Sequence, residues 1–182
     1  MPYLLIALIS LFAAQAQAAT VERFSLEQLA RQAERILVVT CLKSEPERID
    51  GAIYTRYQFA VSETVKGPAQ QRLELHLPGG LFQGIQSRIA GIPTFDTGSE
   101  SVLFLTAQNE FAHAWPIGLG QGAFRIAHGT DGTARVYQRL DGLTLREGAA
   151  KPAEQTNPVQ GAEVRAFLHR VRALAETPSD AR

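Results

Sequence analysis

The chain has 182 residues, and its 18 Lys and Arg are matched by 18 Asp and Glu. A formal net charge of zero argues against nucleic acid as a partner, because neutralising a phosphate backbone calls for a basic excess. One cysteine, Cys41, excludes an internal disulfide framework.

Met1 to Phe12 is apolar and uncharged, and Ala16-Gln17-Ala18 has the small-x-small pattern of a signal-peptidase site. Residues 1–18 therefore read as a secretory signal peptide cleaved after Ala18, which places the chain in the periplasm or outside the cell. Only the α-amine supplies positive charge at the start. The apolar run is short for a bilayer span, so no stable membrane anchor is expected after cleavage.

Residues 19–145 read as one barrel domain with a hairpin extension, and 146–182 as a linker and a C-terminal helix. Ser25 and Gln28 form a capping box, with Phe24 and Leu29 placed as a hydrophobic staple. The stripe Leu26, Leu29, Ala30, Ala33 and Ile36 predicts a helix ending near Arg35. Ile36 to Lys43 is apolar nearly throughout and predicts a central strand. Glu45 to Gly51 reads as a polar turn. From Ile53 to Gly67, Ile, Thr, Tyr, Phe, Val and Val at 53, 55, 57, 59, 61 and 65 alternate with more polar residues. That predicts one unusually long, half-buried strand, of a kind that coils around a small barrel.

Gln71 to Leu77 resumes the alternation, with Leu73, Leu75 and Leu77 inward and Arg72, Glu74 and His76 outward. Pro78-Gly79-Gly80 stops it. The connection from there to Glu100 is long and glycine-punctuated, with one short strand expected within 85–90. Loops of this length in a compact domain are usually functional. Ser101 to Thr106 predicts a buried strand, paired with 111–117. Gly122–Ala127 and Ala134–Leu140 form a hairpin across Asp131-Gly132. After a loop over 148–156, Asn157-Pro158 opens a final helix. Its face of Val164, Phe167, Leu168, Val171, Leu174 and Ala175 docks on the barrel or, in the minority reading, on a membrane or partner. The fold class is mainly β: a five-stranded Greek-key barrel of the oligonucleotide/oligosaccharide-binding type, with an N-terminal helix, an extra hairpin and a C-terminal helix.

No residue is assigned a catalytic, cofactor-binding or metal-binding role. His76, His113, His128 and His169 are dispersed and form no metal-ligand spacing, although His76 and His113 meet if their strands pair. Gly118-Leu119-Gly120-Gln121-Gly122 precedes a strand and opens no long helix, so it reads as a glycine-rich bend and not a phosphate cradle. Asp96 and Glu100 form a carboxylate pair, in which turn chemistry outweighs acid–base catalysis. Cys41 reads either as a buried small hydrophobe or as a reactive thiol. Tyr54, Phe82, Phe95 and Trp115 are either plugs of the barrel ends or binding anchors.

Ala33 to Val39, then Tyr54 to Val65 closing on Lys66-Gly67-Pro68, then Leu73-Glu74-Leu75 and Gly98 to Leu105, resemble the barrel of the tissue inhibitors of metalloproteinases and netrin-like modules. Pro78-Gly79-Gly80, Gly91-Ile92-Pro93-Thr94-Phe95 and Val102-Leu103-Phe104-Leu105 also resemble, in order, a family of small exported bacterial proteins. The resemblance covers about Leu26 to Ile126 and implies a barrel that binds a protein. The inhibitors chelate the protease zinc through a cysteine at the mature N-terminus. Here Ala19-Thr20-Val21 stands at that place, so their mechanism does not carry over. The expectation is an exported, non-catalytic binding protein. Its partner is a co-exported protease or another envelope protein, engaged through the 79–100 loop. A structural or assembly subunit of the cell envelope is the alternative, and a hydrolase built on Asp96, Glu100 and a strand histidine comes third.

Overall fold

The computed structural model describes residues 19–110, 113–146 and 159–176. Strand β1 (Ala19–Glu22) leads to helix α1 (Leu26–Gln32), where the Ser25 hydroxyl accepts from the Gln28 amide at 3.1 Å and the Gln28 side chain accepts from the Ser25 amide at 2.7 Å. The capping box is thus formed. The helix ends at Gln32 rather than near Arg35, because Ala33 is already extended. Ala33 and Ile36 are still buried, but Ile36 faces the core from the next strand.

That strand, β2 (Arg35–Ile49), and its partner β3 (Ala52–Lys66) form a 15-by-15-residue hairpin. The polar run 45–51, expected as a turn, is mostly strand. Only Asp50 and Gly51 turn, both at positive φ (49° and 85°), the arrangement a two-residue hairpin demands. Beyond Cys41, β2 has no strand on its other side, so Pro46 sits on an edge where the missing amide is tolerated. Three register shifts, at 36/37, 38/39 and 41/43, tighten the twist and curl the hairpin.

The remaining strands are β4 (Arg72–Pro78), β5 (Gly80–Phe82), β6 (Ile85–Ser87), β7 (Glu100–Leu105), β8 (Ala123–His128), β9 (Ala134–Gln138), β10 (Leu143–Arg146) and β11 (Ala162–Glu163), with helix α2 over Val164–Glu176. The main sheet runs β11-β9-β8-β7-β2-β3-β4 and is antiparallel throughout. Within it β7-β2-β3-β4 is a Greek key: the fourth strand returns beside the first. The protein is mainly β, as expected. Among the described residues, however, the seven-stranded sheet does not close by hydrogen bonds, since β4 and β11 end it without pairing. Residues 113–117 run beside β7 through the Thr106–Trp115 and Phe104–Ile117 backbone bonds, both 2.9 Å. They form a single bridge, Leu105 to Pro116, rather than the expected strand.

The centre of the sheet is buried on both faces. On one, Ile36, Val102, Phe104, Phe124 and Val136 meet Leu29 of α1 and Phe167, Leu168 and Val171 of α2. The face predicted for the C-terminal helix is therefore its docking face. A pair between Arg172 and Glu63 also links α2 to β3. On the other face, Leu37, Val39, Cys41, Tyr57, Phe59, Leu73, Leu75 and Leu77 are enclosed by the curl itself and by Phe95 and Ala114 from loops. The short parallel pair β1–β10 and the β5–β6 hairpin were not foreseen as pairings. Asn157-Pro158 and the 148–156 loop lie outside the described residues.

Candidate functional site

A Greek key obliges the chain to leave β4, at one edge of the sheet, and re-enter on the far side of β2. The 79–99 connection makes that crossing and walls a cleft of about 540 Å³. Tyr57 and Leu77 line it from the strands, Pro78–Leu81 and Gln86–Thr94 from the connection, and Arg139, Asp141 and Gly142 from the opposite turn.

The connection is tied down at several points. The Gly79 amide donates to the Ile53 carbonyl (2.8 Å), and the buried Thr55 hydroxyl donates to the Gly79 carbonyl (2.7 Å). The Gly120 amide donates to the Gly91 carbonyl (2.8 Å). Phe95, 3% exposed, inserts edge-on between Tyr57 and Phe59, with ring centroids 5.2 Å away in each case. Finally the Gly98 amide donates to the Cys41 carbonyl (2.7 Å) and the Cys41 amide to the Ser99 carbonyl (2.9 Å). The β5–β6 tip lies between the first and second of these ties. It presents Leu81 on one face and Ile85 on the other, at 61% and 58% exposure, and Ile89 follows at 46%; these are three of the six most exposed large apolar side chains among the described residues.

Of the cleft's ionisable groups, Arg139 stands 3.9 Å from Asp141, and the Arg88 side chain makes no ion pair or hydrogen bond among the described residues. Burial pushes the Tyr57 phenol up, against hydrogen bonds to the Phe95 backbone and the Thr55 and Ser44 side chains, so it stays protonated. Among the described residues no histidine, cysteine or carboxylate pair lines the cleft, while Ser87 and Thr94 bring hydroxyl groups to it. A cleft of this size can hold a ligand.

The residues singled out in the sequence lie elsewhere. His76 and His113 do meet: their rings stack at 4.7 Å and 10°. His76 Nδ1 is 2.8 Å from Glu47 Oε1 and its Nε2 2.8 Å from Glu74 Oε1. Carboxylates only accept, so both contacts are hydrogen bonds at once only when both ring nitrogens carry protons. The contact bridges β4 to the 113–117 segment, where backbone pairing does not close the sheet. The hydrogen bond from His76 holds the Glu74 carboxyl below its ordinary value of 4.5. A depressed carboxyl stabilises the fold above its unfolded pKa, and that stabilisation is lost as pH falls through the folded one. Urea midpoints taken between about pH 6 and pH 3 should therefore fall below about pH 4.5, and Glu74→Gln should flatten that fall. An identical slope in the variant removes Glu74 from the acid response.

Glu100 is 2.7 Å from His128 on an open surface, while Asp96 caps no such pair and gives its carbonyl to the Ser99 amide. His169 is exposed on α2. Among the described residues no three His, Cys, Asp or Glu side chains are grouped to hold a metal ion. Cys41 is buried, with its thiol pushed up by desolvation, so the small-hydrophobe reading fits and the reactive one does not.

The glycine run is a bend, a 3₁₀ turn over Leu119–Gly122. A Cβ on Gly120 would overlap the Arg139 carbonyl oxygen. Within the turn Gln121 is fully buried, accepting from the Phe24 amide (2.9 Å) and donating to the Glu22 carbonyl (2.9 Å). Of the aromatics weighed as anchors, Phe95 is a plug, and Tyr54, Phe82 and Trp115 are half-buried. The large apolar side chains most open to water on this connection are aliphatic, and the sequence carried a signal for them: Leu81, Ile85 and Ile89 are apolar residues in a loop that offers them no core face.

Comparison of the chain with protein-family models, with curated proteins and with solved structures finds no match.

Proposed function

We propose that this is an exported, non-catalytic binding protein that engages another protein through the cleft and the β5–β6 tip. The observation that carries the reading is the exposure of Leu81 and Ile89, at 61% and 46%, on the rim of the cleft. The partner is a co-exported protease or another envelope protein. The resemblance to the netrin-like frame favours it, and we read the curled Greek key as a variant of that barrel, with the His76–His113 stack in place of the closing strand pair. A structural or assembly subunit of the envelope is the second reading. Leu42 and Ile49, at 51% and 40% exposure on the unflanked half of β2, favour it by offering a further apolar surface. The solvated Glu100–His128 pair, outside the cleft, gives the hydrolase reading little support.

Affinity capture from the exported fraction tests the proposal, with the full chain and a Leu81→Ser/Ile85→Ser/Ile89→Ser variant as baits. All three side chains are exposed, so the variant should fold. A partner retained by the first bait and lost by the second is expected, and inhibition assays then ask whether that partner is a protease. Equal capture by both baits would overturn the rim as the contact surface.

A further inference from the structure

The cleft also carries information on what its occupant looks like. Arg88 and Arg139 are among the described residues that line it, against one acidic residue, Asp141. Among the described residues the exposed Arg88 side chain has no partner, and Arg139, whose side chain is 22% exposed, has the 3.9 Å contact with Asp141, a side chain 86% exposed. A guanidinium grips a carboxylate with two parallel hydrogen bonds, and Leu77 and Tyr57 line the same cleft as these two arginines. The cleft's volume suits a side chain or two. Leu81 and Ile89 line its rim at 61% and 46% exposure, and a small carboxylic acid seated inside would leave them in water.

We propose that the cleft receives an acidic residue, Asp or Glu, of a partner's peptide segment. Arg88 and Arg139 bind its carboxylate, while apolar residues flanking the acid cover Leu81 and Ile89. Asp141 competes for Arg139 in the empty cleft and is displaced on binding. The inference rests on the protein-binding reading above and adds the chemistry of the contact.

Selection of a random dodecapeptide phage library on residues 19–182 tests it. Sequences with an Asp or Glu between apolar residues should be enriched. Fluorescence anisotropy with the best such peptide should show affinity falling roughly ten- to a hundredfold for Arg88→Gln or Arg139→Gln, and for the peptide with its acid changed to the amide. Asp141→Asn should tighten binding, because the competing carboxylate is gone. Circular dichroism of the variants checks that they fold, a control that matters most at Arg139, whose side chain is 22% exposed. Enriched peptides without an acid, or peptides whose binding ignores both arginine substitutions, would overturn the carboxylate assignment and leave protein binding standing. Failure to enrich any peptide would overturn both.

Discussion

Phe95→Ala should destabilise the protein by about 3–5 kcal/mol, the cost of emptying a buried aromatic site whose walls collapse only in part. Phe95 is 3% exposed and meets two rings, Tyr57 and Phe59, edge-on at 5.2 Å. Those rings stand on β3, a rigid strand paired on both sides, so they have little freedom to fill the hole. For a chain of this size each kcal/mol is worth roughly 2–4 °C, so a fall of about 6–20 °C in Tm is expected by calorimetry. Phe95 is also the plug that seats the crossing loop on the sheet. Binding at the cleft should therefore weaken even below the new Tm, whereas Leu73→Ala, on the same core face but outside the loop, should lower Tm without that effect. A Tm within about 2 °C of the parent would show that the loop is not anchored through this ring.

Gln121→Leu should cost about 2–4 kcal/mol although it adds apolar bulk to the interior. The substitution leaves the Phe24 amide without its acceptor and the Glu22 carbonyl without its donor; a fully buried group left unpaired costs about 1–3 kcal/mol, and these part-buried ones sit toward the lower end of that range. Both groups belong to the segment joining β1 to α1. The loss should thus appear as faster hydrogen exchange at Phe24 and across β1, ahead of any change in the β2–β3 hairpin. Gln121→Glu is the companion test: it keeps the acceptor for Phe24, loses the donor to Glu22 and buries a charge. A urea midpoint unchanged in the leucine variant would mean that water replaces the amide.

The long hairpin was legible because alternation over Ile53 to Val65 has only one economical interpretation, and α1 was legible because Ser25 and Gln28 cap it locally. The inward Leu73, Leu75 and Leu77 and the apolar face of α2 were legible for the same reason: periodicity reports burial directly. What escaped notice depends on residues distant in sequence. The parallel pairing of β1 with β10 has no local signature, and neither does the service of Gln121 to Glu22 and Phe24. The run Glu45 to Ile49 was hidden by its polarity, since an unflanked stretch of strand may be charged and even contain Pro46. The candidate cleft was only half legible. Length and glycines pointed to the 79–100 connection, but Arg139 and Asp141 reach it from across the fold, and the aliphatic rim was passed over for aromatics that prove half-buried or buried.

The pairing of Ala19–Glu22 with Leu143–Arg146 bears on the order in which the molecule can assemble. The first strand of the chain has no partner until one of the last strands exists. A ribosome or an export channel that releases the N-terminus first would release a segment that must wait, while the β2–β3–β4 meander, whose contacts are local, forms at once. Completion of β1, and with it the Gln121 bonds to Phe24 and Glu22, requires residues 143–146 to be present. Mutations in β1 should therefore speed unfolding while leaving the folding rate nearly unchanged.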